Sequence, residues 1–165
     1  MKIAKELSED NLKTKEGGPF GACIVKDGLI IGIGKNMVLK SNDPTAHAEV
    51  CAIRDACNNI GTYDLTGCEL YTSCYPCPMC LSAAIWANIK KVYFGNTKED
   101  AAAIGFRDDY IYDFIKGKNE DDVLVLTPMD RDETIKAFEA FAGDENKTIY
   151  RSLYFPELLE PDSGL

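Results

Sequence analysis

Two short segments thirty residues apart place the tightest limit on what this chain can fold into. His47-Ala48-Glu49 and Pro76-Cys77-Pro78-Met79-Cys80 together offer one imidazole, one carboxylate and two thiols. One nitrogen and two sulfur ligands suit tetrahedral zinc, and a fourth position left for water separates a catalytic zinc from a closed structural one. Residues two apart on the flank of a helix point in widely different directions, so His47 and Glu49 can share a site only off a helix end. The fold must therefore bring two helix starts to one point, where the positive helix termini favour thiolates. His47, Cys77 and Cys80 are the expected ligands of one Zn2+ per chain. Glu49, beside them, is the expected proton carrier for a water that zinc activates.

The surrounding pattern supplies those helices. Phe20 to Val25, a turn at Asp27 and Gly28, and Leu29 to Ile33 read as a β-hairpin. Asp43 and Pro44 suit an N-cap and first helical position, after which Ala46, Val50, Ile53, Cys57 and Ile60 repeat with helical spacing until Gly61. Cys68 to Ser73 reads as a third strand leading into a helix from Pro78, with Met79, Ala83 and Trp86 on one side, so both ligand helices are expected to open with proline. Lys91 to Gly95 and Val123 to Thr127 read as short strands, with helices over Asp109 to Lys116 and Arg131 to Ala142. The order ββαβαβαβα predicts an α/β chain whose mixed, mostly parallel central sheet is covered by helices on both faces. Residues 1–150 are expected to form one domain, and the last fifteen, 151–165, a C-terminal tail whose two prolines and lack of period suit a surface arm.

Charge and cysteine usage narrow the partners. A formal charge of −9 with only four arginines opposes the counterion release on which nucleic-acid binding relies, so a small-molecule substrate is expected and nucleic acid is not. No apolar run approaches the roughly 18 residues of a membrane span, and the opening MKIAKELSEDNLKTKEGG lacks the apolar core of a signal peptide. A cytoplasmic chain without membrane attachment is expected. Its seven cysteines are an odd number, which with that opening favours reduced thiols used for metal ligation or packing.

Other patterns in the sequence compete poorly with the zinc centre. Cys74, Cys77 and Cys80 fall every three residues and with His47 would make a closed Cys3His site, but that arrangement gives Glu49 no task. Gly32, Gly34 and Lys35 lack the leading glycine and following Ser or Thr of a phosphate loop and read as sheet glycines. Glu120, Asp121 and Asp122 read as a solvated loop, and Cys23, Cys51, Cys57 and Cys68 as small core residues.

The ligands lie within longer segments of the same character: GGPFGA at Gly17 to Ala22, Lys35-Asn36, SNDPTAHAEVCAIR at Ser41 to Arg54, YTSCYPCPMC at Tyr71 to Cys80, and Gly105, Phe106, Asp108, Ile111 and Tyr112. On these segments the chain resembles the cytidine deaminase-like superfamily, and within it looks most like the bacterial guanine deaminases, from Gly17 to about Tyr112. The resemblance implies a three-layer α/β/α fold, a homodimer and zinc-dependent hydrolysis of guanine to xanthine and ammonia, with Glu49 catalytic. It further implies a binding or proton-shuttling role for Asp108, Asn36 as the grip on the purine ring, Ala48 as a substrate contact, and Phe20 and Trp86 as pocket walls. A C-terminal tyrosine, Tyr150 or else Tyr154, is implied to cover the site, and some family members exchange that C-terminal segment between subunits. Tyr75 departs from the glutamate usual before the Pro-Cys pair, and Arg107 from a frequent second acid.

Substrate chemistry supports that implication for Asp108. Guanine presents two adjacent donors, the N1 hydrogen and the 2-amino group, which one carboxylate can accept together, whereas cytosine sets a ring acceptor beside its amino group. Deamination of guanosine or cytosine, or of adenosine in tRNA, are the alternative activities, the last opposed by the acidic charge. The alternative of a different class is a non-catalytic, zinc-stabilised binding module.

Overall fold

Asp27 and Gly28 take φ of 50° and 79°, the left-handed pair that a tight hairpin requires, so strand β1 (Gly21–Lys26) turns directly into antiparallel β2 (Leu29–Lys35). The computed structural model describes residues 1–118 and 123–150, and the chain divides into a unit of Met1–Asp108 and a second within Asp109–Arg151. Among the described residues the sheet has four strands in the order β2-β1-β3-β4, with β3 at Glu69–Cys74 and β4 at Lys91–Asn96.

The sheet is mixed as expected, but β1 pairs antiparallel with both neighbours and only β3 and β4 run parallel, so it is mostly antiparallel rather than mostly parallel. The parallel pair follows from its connection, since α4 (Pro78–Trp86) provides the crossover that parallel strands need. The expected strand over Val123 to Thr127 does not form, and among the described residues this segment pairs with no strand. Its alternating valines and leucines have strand-like chemistry, but that preference is realised only against a neighbouring strand.

The register assigns the faces. Ala22 lies opposite Gly34 and Thr72, and Ile24 opposite Gly32 and Leu70, so these six residues share one face. Helix α3 (Ala48–Ile60) lies on it so closely that a Cβ on Gly32 would fall 2.6 Å from Ala52 O and Ala56 N, and one on Gly34 would overlap the Ala48 carbonyl. Ala48, Ala52 and Ala56, one helical turn apart, form the matching stripe and are fully buried. Leu65, Leu70, Ala84 and Ile89 complete this core. Gly21 faces the other way, and α1 (Lys2–Thr14) packs there, with Leu7 Cβ 2.7 Å from where a Gly21 Cβ would be. The three layers are α1, the sheet, and α3 with α4.

Helix α1 has no counterpart in the sequence reading. Its buried residues are Ala4 and Asn11, the latter a polar side chain where a helical pattern calls for an apolar one. Helix α3 begins at Ala48 rather than Pro44. Asp43 Oδ1 accepts hydrogen bonds from Thr45 N at 2.8 Å and Thr45 Oγ1 at 2.7 Å, which closes a local turn and leaves the N-cap position to His47. Of the two ligand helices, only α4 opens with proline. The expected end at Gly61 holds.

Short helices α2 (Val38–Ser41) and α5 (Lys98–Ala103) occupy connections, α5 starting from a Thr97–Asp100 capping box. The second unit contains α6 (Asp109–Ile115) and α7 (Arg131–Gly143), close to the expected spans. The acidic run Glu120 to Asp122, Tyr154 and the tail 151–165 lie outside the described residues. No helix among those described is long and apolar enough to cross a membrane.

Candidate active site

His47 and Cys77 hold equivalent places: each is the N-cap of its helix, with extended backbone at φ −69°, ψ 156° and φ −66°, ψ 168°. Cys80 lies in the first turn of α4, and Glu49 in the first turn of α3. Both helix starts therefore meet at one point, as the His47–Glu49 spacing required. Their positive ends and unpaired N–H groups favour thiolates and anions there.

His47 Nδ1 lies 3.5 Å from Cys77 Sγ and 3.6 Å from Cys80 Sγ, and the two sulfurs are 3.6 Å apart. Zinc bond lengths of about 2.0 Å to nitrogen and 2.3 Å to sulfur at tetrahedral angles imply edges of about 3.5 Å for N···S and 3.8 Å for S···S. The three side chains thus fit one zinc ion and are the residues that would hold it. The mutual hydrogen bond of the two thiols lowers the pKa of Cys77, with His47 adding to the effect, and raises that of Cys80. The neighbouring Cys77 sulfur raises the His47 pKa against the opposing effect of burial, with the charges of Glu49 and Asp108 acting in the same direction.

Cys74 does not join the cluster. Its thiol points to the Thr97 carbonyl at 3.4 Å rather than to the other two sulfurs, and burial pushes its pKa up to about 11. The closed Cys3His arrangement is thereby disfavoured by geometry as well as by Glu49. Cys23, Cys51, Cys57 and Cys68 are raised by burial and sit in or beside the core.

Glu49 is 6% exposed. Its Oε1 accepts a hydrogen bond from Thr72 Oγ1 at 3.0 Å, and its Oε2 lies 3.3 Å from Cys80 Sγ. Burial raises its pKa, only partly offset by hydrogen bonds from its own N–H, Cys80 and Thr72. The sequence reading did not single out Thr72; the available signal was a hydroxyl on the α3-covered face of β3, where the alternation calls for an apolar residue.

Asn36 follows β2 and is 4% exposed. Its Oδ1 accepts from Gly18 N at 3.3 Å and Val38 N at 3.2 Å, so Nδ2 is the group of this amide turned to other partners. Asn11 holds the same loop from α1, donating from Nδ2 to Gly18 O and Asn36 O, both at 2.8 Å. Phe20 packs edge-on against Phe106, ring centroids 4.9 Å apart. Ala48 is fully buried as the first residue of α3, and its N–H is one that a helix cannot pair internally.

The remaining candidates are more distant or belong elsewhere. Asp108 ends the first unit, near enough for its charge to act on His47 and Cys74. Trp86 closes α4 at the end opposite its ligands and is 56% exposed. Tyr150 belongs to the second unit and is exposed. Tyr75 turns its ring to Phe94 and Lys98.

Comparison with known proteins agrees with this chemistry. Residues 1–96 match the family model of the cytidine and deoxycytidylate deaminase zinc-binding region. The guanine deaminase of Bacillus subtilis is 47% identical over 150 residues, covering 91% of this chain and 96% of that protein. A crystal structure of the B. subtilis guanine deaminase superposes with a TM-score of 0.85, covering 90% of this chain and 95% of that one. A guanine deaminase structure from Nitrosomonas europaea is 35% identical with a TM-score of 0.61, covering 64% of this chain and 61% of that one. A tRNA-specific adenosine deaminase of Aquifex aeolicus is 50% identical over 76 residues, covering 46% of this chain and 50% of that protein. With more than half its length matched by the family model and a zinc-fitting triangle at the expected residues, the chain belongs to the cytidine and deoxycytidylate deaminase zinc-binding family.

Proposed function

We propose that this protein is an enzyme that hydrolyses guanine to xanthine and ammonia. The observation that carries the reading is the Glu49 carboxylate turned, through Oε2, toward a zinc-fitting triangle, in a chain similar to a guanine deaminase over nearly its whole length. Zinc, when bound by His47, Cys77 and Cys80, supplies Lewis-acid activation of a water for attack on C2 of guanine. Glu49 moves both protons of the water: Oε2 takes the first and delivers it to the ring nitrogen, then takes the second from the oxygen newly bonded to C2 and delivers it to the amine, which leaves as ammonia while C2–O becomes a carbonyl. Its burial favours the protonated form that the second half of this cycle needs.

The substrate is held by polar groups on separate elements. Asn36 offers Nδ2 to a ring acceptor, its Oδ1 being held by the Gly18 and Val38 N–H groups. Ala48 offers its main-chain N–H, and Asp108 accepts the N1 hydrogen and 2-amino group together. Phe20, braced by Phe106, forms one apolar wall. Trp86 is proposed as an outer wall and Tyr150 as the cover, both on the strength of the family resemblance. Residues 1–150 are proposed as the deaminase domain, and 151–165 as its tail.

We place the enzyme in the cytoplasm as a homodimer, with exchange of C-terminal segments between subunits as in some relatives. Cys77 and Cys80 hold zinc only as reduced thiols, which a reducing compartment maintains. The test is ammonia release from guanine, guanosine, cytosine, adenine and a tRNA. Release from guanine alone supports the reading. Turnover of the tRNA, or of none of them, overturns it.

A further inference from the structure

Thr72 occupies a position on β3 that the core would fill well with valine. It lies on the sheet face covered by α3, beside Ala22, and is fully buried. A buried hydroxyl without a partner is costly, and a valine of the same shape carries no such cost. The Thr72 hydroxyl spends its hydrogen on Glu49 Oε1 at 3.0 Å, across from the sheet to the first turn of α3.

The consequence is that the two oxygens of one carboxylate are made unequal. Oε1 is tied to the sheet by the Thr72 hydroxyl, which donates to it while the carboxylate is ionised. Oε2 is left facing Cys80 Sγ, on the side of the zinc-fitting triangle. A carboxylate free to rotate would present either oxygen, or neither, to a reacting proton. We propose that Thr72 is a positioning residue that fixes the Glu49 carboxylate so that Oε2 alone carries the proton during turnover. The inference rests on the proton-carrying role assigned above to Glu49. Thr72 touches neither the substrate nor the ligand triangle and acts through Glu49.

Two substitutions separate this role from packing. Thr72→Val keeps the shape and removes the hydroxyl. Thr72→Ser keeps the hydroxyl and removes a buried methyl. A positioning role makes Thr72→Val the slower enzyme, with kcat reduced about ten- to a hundredfold and KM within about twofold, while Thr72→Ser recovers kcat to within about threefold. A packing role reverses the order, because only Thr72→Ser opens a void. Both variants are expected to melt below the parent, Thr72→Val by leaving Glu49 Oε1 without its donor and Thr72→Ser by opening a void, so kcat and not stability ranks them, with zinc content equal in both.

Rates are read on whichever of guanine, guanosine, cytosine and adenine the parent deaminates, so failure of guanine as the substrate leaves the comparison intact. If the parent deaminates none, the orientation of Glu49 in crystals of Thr72→Val decides, the expected result being a carboxylate rotated off its line to Cys80. Parental kcat in Thr72→Val, loss of activity in Thr72→Ser without loss in Thr72→Val, or an unrotated Glu49 overturns the proposal.

Discussion

The Asn11 side chain donates from Nδ2 to the main-chain carbonyl of Asn36 at 2.8 Å, with both residues buried. The same nitrogen reaches Gly18 O at 2.8 Å, and Thr14 Oγ1 donates to Asn11 Oδ1 at 3.2 Å. One amide on α1 therefore holds both strands of chain that shape the Asn36 corner of the site. Lys35, paired with Asp10 and with Glu16, ties the same helix and loop together at the surface.

Asn11→Ala is expected to strand the buried Asn36 carbonyl, while Gly18 O keeps the Phe20 N–H as its donor. Leaving such a group unsatisfied costs about 1 to 3 kcal/mol, so the urea midpoint should fall while zinc content holds. KM for guanine should rise more than kcat falls, because the change acts on the Asn36 loop and not on Glu49. An unaltered midpoint and KM would contradict this account.

Cys77→Ala and Cys80→Ala are each expected to lose the metal, since the remaining two ligands no longer define a tetrahedral site. Metal analysis of the purified variants checks this, against about one zinc per chain in the parent. Cys74→Ala should retain the parental zinc content, because its thiol is directed to the Thr97 carbonyl.

Glu49→Gln should keep zinc and fold yet lower kcat by at least about a hundredfold, the amide being unable to carry a proton. Steady-state assays alongside metal analysis test the separation of roles. Turnover near the parental rate would remove Glu49 from the mechanism.

Asp108→Ala should lower kcat/KM for guanine by about ten- to over a hundredfold, the range set by charge-assisted hydrogen bonds of about 1.5 to 3 kcal/mol. Zinc content should not change. Steady guanine turnover per folded molecule in a less stable variant would mean that Asp108 serves the start of α6, which it immediately precedes.

Acid should weaken the α1 attachment. Hydrogen bonds from Lys35 first, and then Lys40, hold the Glu16 pKa below its usual 4.5. A carboxylate lowered in the folded state contributes stability that is present above its unfolded value and lost as pH falls through the folded one. Glu16→Gln should therefore flatten the acid limb of the stability profile below about pH 4.5, more clearly at low salt than at high salt.

The chemistry-bearing residues were the most legible part of the sequence, because few residue types bind zinc and their spacing admits few arrangements. His47, Cys77 and Cys80 converge as that spacing required. Boundaries set by competition between local options were less legible. Asp43 and Pro44 have the composition of a helix start, but the Asp43 carboxylate closes a turn on Thr45 and the helix begins after His47. Val123 to Thr127 is rich in strand-forming residues, yet forming a strand depends on a partner that no local pattern announces. Helix α1 and Thr72 escaped detection for a related reason: Asn11 and Thr72 are polar residues in buried positions, identified by their hydrogen bonds rather than by periodicity.

The close seam between β2 and α3 bears on how such an enzyme can change over generations. Gly32 and Gly34 meet the Ala48, Ala52 and Ala56 turns with no side chain between strand and helix. Most active sites can drift by small exchanges of neighbouring volume, each a modest adjustment. Here even one added methyl group would lever the start of α3, and His47 and Glu49 with it, away from Cys77 and Cys80. The seam admits almost no gradual variation, so changes in substrate preference are expected outside it, in the segments that carry the proposed contacts Phe20, Asn36 and Asp108.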